Sequence, residues 1–340
     1  MVTLKDVALK AGVSPSTVSR VVSGNGRVGQ KCREHVQAVI KQMNYRPNTH
    51  ARALACNRVE MIGLITPNVS TPFNGSIAIG VEEAAIELDY KTLITNTFRS
   101  PEAAINAIES FREQGCENII IHTHSIDDAT LVKLAKEIKG LVVVNRFIAP
   151  IAQRCVWIDN VYGGRIAAEY LIAQGHKKLA IITDDKTARD PKDRILGIKQ
   201  AVEDAGLHIP EERILFGINS IGNIEHGRKL ARQLIEEKRD FTAVLAYNDM
   251  MAIGAINEFQ DMGYKVPEDI SVIGFDDLFI CEVSRPHLST IHYPIVEVAK
   301  FATQLSLALT NGDEGVIGKA NMFMPSLVER SSVKNIKNNK

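Results

Sequence analysis

Two hydrophobic rhythms divide this chain. Near its start, Leu4, Val7, Ala8 and Ala11 recur at helical spacing, Gly12-Val13-Ser14 interrupts them, and Thr17, Val18, Val21 and Val22 resume the same period. The pattern predicts two short helices joined by a tight turn. Thr3 can cap the first, while Ser14 as N-cap and Pro15 at the first helical position suit the second. After Gly24-Asn25-Gly26, the positions Val36, Val39, Ile40 and Met43 predict a third amphipathic helix over 33–43, closing a three-helix headpiece. Tyr45-Arg46-Pro47-Asn48 ends it, since the residue before proline is biased away from helical backbone, and a short helical stretch over 48–55 follows. By periodicity alone, a helical hairpin buried in an ordinary core fits equally well.

From residue 59 the texture becomes one of short apolar runs alternating with helical stretches. Met61–Thr66, Thr92–Thr95, Ile119–His122, Leu141–Asn145, Val156–Ile158, Leu179–Thr183, Ala243–Ala246 and Val272–Phe275 read as strands. Ala78–Leu88, Pro101–Gln114, Gly163–Gln174, Ile195–Gly206, Gly227–Lys238 and Met250–Met262 read as helices. Strand and helix repeated in this way predict right-handed crossovers and parallel sheets. At 340 residues the chain is too long for one ordinary core.

Charge separates the two readings of the first segment. Residues 1–58 hold ten Lys and Arg against Asp6 and Glu34, a formal +8 that leaves −8 on the remainder of a chain whose total is zero. A small basic module on an acidic body is the electrostatic footprint of nucleic-acid binding, because Lys and Arg neutralise phosphates. A helix-turn-helix places the start of its second helix in the DNA major groove. The balance of 45% apolar and 24% charged residues is that of a soluble globular protein. The absence of a long apolar run or an apolar N-terminal region leads to the expectation of a cytoplasmic protein with no membrane association. Five scattered cysteines (32, 56, 116, 155 and 281) form no C-x-x-C pair and read as reduced, packed thiols. The N-x-S sequences at Asn68 and Asn74 carry no meaning without export.

Thr3-Leu4-Lys5-Asp6-Val7-Ala8, Ala11-Gly12-Val13-Ser14, Thr17-Val18-Ser19-Arg20-Val21-Val22, Asn44-Tyr45-Arg46-Pro47-Asn48 and Ala51-Arg52-Ala53-Leu54-Ala55 stand in order within 55 residues. Together they resemble the headpiece of the LacI/GalR family of bacterial repressors. The resemblance implies an N-terminal all-α helix-turn-helix headpiece plus an α/β, two-lobed, periplasmic-binding-protein-like (type I) core. It divides the chain into a headpiece over 1–47, a hinge helix or linker over 48–58, a two-lobed effector and dimerisation domain over 59–330, and a polar tail over 331–340. Within the core it implies an N-lobe of about 59–159 and 290–324 and a C-lobe of about 160–289 and 325–330, with crossings near 160, Leu288 and Pro325. The tail carries no heptad, so a coiled-coil tetramer is not expected. For DNA the implied contacts are Ser16 and Thr17 in the groove, Arg20 from the reading helix, Asn25 and Tyr45 along the backbone, and Leu54 as a minor-groove wedge flanked by the small Ala51 and Ala55. One short reading helix offers few contacts, so a homodimer on double-stranded operator DNA with two half-sites is expected.

Ligands of open parallel sheets sit beyond the carboxyl ends of the strands. Asn145-Arg146, Asp159-Asn160, Asn248-Asp249 and Asp276-Asp277 follow strands, and Arg194 opens a helix. Arg, Asn and Asp supply the donors and acceptors that sugar hydroxyls need, and the resemblance implies effector contacts from Arg146, Arg194, Asn248 and Asp276. Asp249 and Asp277 read as supports for helix caps and strand ends. Segments such as Leu171-Ile172-Ala173-Gln174-Gly175-His176, Phe241-Thr242-Ala243-Val244 and Tyr293-Pro294-Ile295-Val296 are similar to the galactose repressor branch, which implies a hexose or galactoside effector. Two departures qualify this. Asn74 follows Phe73 where the family often has a second aromatic, and Gly217–Gly227 contains no aromatic, so ring stacking falls to Phe73, Phe147 or Trp157. Pro15-Ser16 also differs at base-reading positions, so no operator sequence carries over.

His122-x-His124 lacks a third ligand at suitable spacing and reads as loop or cleft histidines rather than a metal site. Asp184-Asp185 and Asp276-Asp277 are adjacent carboxylates that point apart, unlike a glycosidase pair. With no G-x-G-x-x-G, P-loop, G-x-S-x-G or H-E-x-x-H sequence, neither an enzyme nor a cofactor is expected. Two alternatives stay open: a regulator answering to a nucleobase or a phosphocarrier protein, and a soluble sugar receptor that does not bind DNA.

Overall fold

The computed structural model describes residues 2–23, 27–45, 60–185, 188–217, 223–313, 315 and 321–337. The hinge stretch over 48–58, with Ala51, Leu54 and Ala55, lies outside the described residues, as does Asn25. Two units compose the chain, Met1–Glu60 and Met61–Lys340.

In the first unit, α1 (Leu4–Ala11) starts at a reciprocal cap. The Thr3 hydroxyl accepts from the Asp6 amide at 3.3 Å, and the Asp6 carboxylate accepts from the Thr3 amide at 2.8 Å. Gly12 ends it in the left-handed conformation at φ +66°, which glycine adopts without steric cost. In α2 (Pro15–Ser23) the first turn is capped by Ser14, whose Oγ accepts from the Thr17 amide at 3.1 Å. The third helix, α3 (Gln30–Gln42), begins three residues earlier than its apolar period suggests. Val7, Val18 and Val36, one from each helix, are fully buried together.

The second unit builds two six-stranded sheets. The first contains β1 (Met61–Thr66), β2 (Lys91–Asn96), β3 (Asn118–Ile121), β4 (Gly140–Val144) and β5 (Cys155–Ile158); the second contains β6 (Leu179–Thr183), β7 (Ile214–Phe216), β8 (Ala243–Ala246), β9 (Ser271–Asp276) and β10 (Ser289–His292). The two short last strands divide between them: β11 (Met322–Phe323) extends the first sheet in parallel, and β12 (Ser326–Val328) closes the second antiparallel to β10. Spatial orders are β11-β5-β4-β3-β1-β2 and β12-β10-β9-β8-β6-β7, so each sheet reverses its direction of growth once, at β1/β3 and at β6/β8. Nearly continuous burial of β1, β4, β6 and β9 reflects helices on both faces. The helices that matter below are α4 (Pro72–Glu87), α5 (Pro101–Glu113), α6 (Asp128–Glu137), α7 (Asn160–Ala173), α8 (Arg189–Asp204), α9 (Ile224–Glu236), α10 (Asp249–Asp261), α11 (Ile280–Val283) and α12 (Ile295–Asn311).

The chain passes between sheets after β5, again at Tyr293-Pro294, and finally at Met324-Pro325. The second passage is later than the expected one near Leu288, because Ser289–His292 pairs in register with Ile273–Asp276 and so stays in the second sheet. A second correction concerns the C-terminus. Residues 331–337 are no separate tail: Ser332 is fully buried, its Oγ donating to the Val272 carbonyl at 2.6 Å and accepting from the Ser289 amide at 2.8 Å, and the Ile336 amide donates to the Gln174 carbonyl. Among the described residues no helix is long and apolar enough to cross a membrane.

Candidate functional site

A cavity of about 360 Å³ opens between the two sheets. Its wall comes from the carboxyl ends of parallel strands: Asn68 beyond β1, Phe98 and Arg99 beyond β2, His122 and His124 beyond β3, Asn145 beyond β4, Asp184 beyond β6, Tyr247 and Asn248 beyond β8, and Asp276 at the end of β9. The strands at both reversals, β1/β3 and β6/β8, contribute, which is where open parallel sheets leave a crevice. Several of these residues hold uncommon backbone. Phe98, Arg99, Asn145 and Asp276 have φ of +48°, +63°, +59° and +106°. Left-handed backbone at non-glycine residues is costly and concentrates where side chains must be aimed.

Arg194 is the centre of this wall. It lies in the second turn of α8, which begins at Arg189 and not at Ile195 as the apolar period suggested. Although only 6% exposed, its guanidinium lies over the Phe275 ring at 3.5 Å and near the Tyr247 ring at 4.7 Å. Its Nε donates to Asn160 Oδ1 at 2.8 Å, its Nη1 to the Tyr247 carbonyl, and its Nη2 stands 3.5 Å from Asp276 Oδ1. Two glycines make this reach possible. A Cβ on Gly164 would lie 2.1 Å from the Arg194 carbonyl, and one on Gly197 would lie 1.8 Å from the Val161 carbonyl, so α7 and α8 cross with their backbones in contact. Gly197→Ala is therefore expected to force the helices apart and to lower stability by about 1–3 kcal/mol. An unchanged urea midpoint would show that the crossing can yield.

Burial pushes the Asp276 carboxyl up to about 8, against the opposing pull of the Arg194 guanidinium. Asp249 is fully buried and raised to about 6 for the same reason, although its carboxylate accepts from Thr290 Oγ1 at 2.5 Å and from the Leu278 amide at 2.8 Å. Asp277 receives His292 Nδ1 at 2.9 Å and Arg330 Nη2 at 2.8 Å, fixing the turn after β9. Asn145 links three elements: its Nδ2 donates to Asp190 Oδ2 at 3.1 Å, and its Oδ1 accepts from the Tyr293 hydroxyl at 3.1 Å. Asn248 caps α10, with Oδ1 accepting from the Met251 amide at 2.9 Å.

Four expected effector residues meet here: Phe73, Arg194, Asn248 and Asp276. Arg146 does not join them. Its guanidinium is held by Asp128 and by the Ile126 carbonyl at 2.7 Å, and so does not line this cavity. Phe147 and Trp157 are not stacking partners for this cavity either; they pack on one another at 4.7 Å and line a separate recess with Arg146. Phe73 supplies an aromatic wall, edge-on to Tyr293 at 5.4 Å, and Phe98 and Tyr247 add two rings that the pattern of the chain did not single out. Asn68, Arg99 and Asn223 were also missed; each follows a strand or caps a helix, which is the signal they carried. Residues 218–222 of the aromatic-free loop lie outside the described residues. Among the described residues no group of His, Cys, Asp or Glu is placed to hold a metal ion.

In the headpiece, Ser16 and Arg20 are exposed on α2, whereas Thr17 is half-buried with its hydroxyl 2.9 Å from Ser14 Oγ. Tyr45 is half-buried against the headpiece core.

These two units define a class: a small helix-turn-helix reader carried by a ligand-cleft body of two parallel sheets. Residues 3–48 match the bacterial regulatory proteins of the lacI family, and residues 168–333 match the periplasmic binding protein-like domain. Similar proteins include the HTH-type transcriptional regulator GalR of Escherichia coli K12, 36% identical over 98% of this chain and 96% of that protein. The HTH-type transcriptional repressor PurR of Haemophilus influenzae is 32% identical over 99% of this chain and all of that protein. Among solved structures, the lac repressor dimer bound to operator and the anti-inducer ONPF superposes with a TM-score of 0.86 at 26% identity, covering 98% of this chain and 99% of that one. A CelR–cellobiose complex covers 98% and 100% with a TM-score of 0.70 at 26% identity. The chain belongs to the lacI family of bacterial regulatory proteins, and it is a DNA-binding transcriptional regulator.

Proposed function

We propose that this regulator represses carbohydrate-utilisation genes in the cytoplasm, as a homodimer on a two-half-site operator, and that a small neutral sugar of the galactose or galactoside type occupies the cavity. It performs no catalysis. The observation that carries this reading is the cavity wall itself: Arg194, Asn145, Asn248 and Asp276 offer forked donors and acceptors beside the rings of Phe73 and Tyr247. Polyols need that pairing of polar groups with an apolar face. Ser16, Thr17 and Arg20 stand on the reading helix, Asn25 and Tyr45 position the backbone, and Leu54 wedges the minor groove. Sugar binding changes operator affinity only by as much as it prefers one arrangement of the two lobes over the other.

Calorimetric titration with a panel of D-galactose, galactosides and purine bases, paired with operator binding at several salt concentrations, tests the proposal. Heat with galactose and altered operator affinity is the expected result. Heat with a purine alone would replace the sugar reading with a nucleobase one, and operator binding indifferent to both would point to a protein co-regulator. Leu54→Ala should weaken operator binding far more than binding to random duplex; equal losses would remove the wedge.

A further inference from the structure

The cavity contains a hydrogen-bond relay whose polarity can be read from one end to the other. It begins in the segment before α4, where the Thr71 hydroxyl donates to the Asn68 carbonyl at 3.0 Å. Asn74 Nδ2 donates to the same carbonyl at 3.0 Å and to Thr71 Oγ1 at 2.8 Å. A carbonyl only accepts, so the amide of Asn74 has one permitted orientation, with Oδ1 on the opposite side. That oxygen lies 2.8 Å from His122 Nδ1. An amide oxygen also only accepts, so Nδ1 carries the proton. In a neutral imidazole the other nitrogen is then a bare acceptor. His122 Nε2 is buried and has no hydrogen-bond partner among the described residues, and the ring forms part of the cavity wall.

We infer that His122 Nε2 is an obligate acceptor that reads one hydroxyl of the effector, and that Asn74 is the positioning residue which sets its tautomer. The inference rests on the sugar reading above only for the nature of the donor. A ligand offering a carboxylate or phosphate oxygen at this point meets a lone pair and is rejected. The ring stays neutral at ordinary pH, since burial, reinforced by His124 and Arg99, holds it well below the usual histidine range. In the chain without ligand the nitrogen is shielded, so a donor reaches it as the wall adjusts. His124, exposed and packed edge-on at 5.2 Å, is the neighbour with room to move. This also gives a role to Asn74, which stands where the family often has a second aromatic. Stacking area is exchanged for control of a proton. An unsatisfied buried acceptor is unfavourable, so a hydroxyl that satisfies it contributes to affinity and one that is missing subtracts from it.

Long-range ¹H–¹⁵N correlation on the ¹⁵N-labelled full chain reads the tautomer directly, with His122→Gln assigning the signal. The Nδ1–H form is expected in the wild type and lost toward Nε2–H in Asn74→Leu. An Nε2–H wild type overturns the inference. Calorimetry with D-galactose and its monodeoxy derivatives supplies the second measurement. One monodeoxy sugar should bind about ten- to a hundredfold more weakly than galactose, and that difference should vanish in His122→Ala. The same deficit in wild type and variant would overturn the role of His122. Should galactose itself give no heat, the sugar reading fails, while the tautomer still decides whether the wall presents an acceptor.

Discussion

Arg194→Met is expected to abolish the response to sugar and to destabilise the two-sheet body by about 3–5 kcal/mol. The side chain is nearly as long, so the loss does not come from a large cavity. It comes from the guanidinium's partners. Asn160 Oδ1 and the Tyr247 carbonyl lose their donor, and Asp276 loses the cation that opposes its burial beside Asp190 and Asp249. Buried acceptors left without their charged donor cost more than the bonds contributed, because they stay desolvated, and Asp276 must then hold its proton more firmly still. Arg194→Lys is expected to recover little. An ammonium is a compact point charge that cannot lie flat on Phe275 while forking to two acceptors. Urea unfolding of the full chain measures the first effect, and operator release by galactose the second. A midpoint shift equivalent to less than about 0.5 kcal/mol, the range of an ordinary surface change, would mean that the cluster is held by packing alone.

What the chain reveals before folding, and what it withholds, follow from geometry. Parallel strands deliver their carboxyl ends to one side of a sheet, so the polar residues after each apolar run were candidates by position, and Asn248 and Asp276 were found in that way. Strand limits were legible where a run is apolar on both faces: Met61–Thr66, Leu179–Thr183 and Ala243–Ala246 form as read. The choice between Asn145 and Arg146 was not legible. Both follow β4, and it is Asn145, at a positive φ, that lines the cavity while Arg146 is drawn to Asp128 and the Ile126 carbonyl. Helix beginnings were hidden for a related reason. At α4 the first turn holds Pro72, Phe73 and Asn74, which serve the cavity and break the apolar period that starts at Ile77. Helix α12 escaped notice because its interior is buried on most sides, leaving no polar stripe to mark the period. The docking of Ser332 was equally unreadable, since a serine that pairs with two backbone groups looks like any polar residue in sequence.

Asp276 should make the protein lose stability as pH rises through the neutral range. Unfolded, its carboxyl titrates near 3.8, whereas in the folded chain burial raises it to about 8. Between those values the folded state holds a proton that the unfolded state has released, so stability falls with increasing pH across the window. Asp249 acts in the same direction up to about 6. Histidines held below their ordinary value act the other way. His122, His124 and His176 are held below 6.5, so their contribution grows as the pH rises through that value and is nearly complete about one unit above it. From about one unit above 6.5 the histidines are neutral in both states, and the buried thiols Cys116 and Cys155, raised to about 11, begin to count only as the pH approaches the ordinary thiol value of 9. The difference between the wild type and Asp276→Asn from 6.5 to 8 therefore isolates Asp276, because the histidines contribute equally to both. Each tenfold difference in proton affinity corresponds to about 1.4 kcal/mol, so the slope is large enough to measure by urea unfolding. Asp276→Asn removes that downward slope and should gain on the wild type across the interval, overtaking it at the alkaline end. A ligand whose hydroxyls donate to the ionised carboxylate pulls the same equilibrium toward proton release, so sugar affinity should rise with pH over the interval in which unliganded stability falls. Parallel wild-type and Asp276→Asn curves from 6.5 to 8 would mean that Arg194 keeps Asp276 ionised throughout, and the two predicted effects would disappear together.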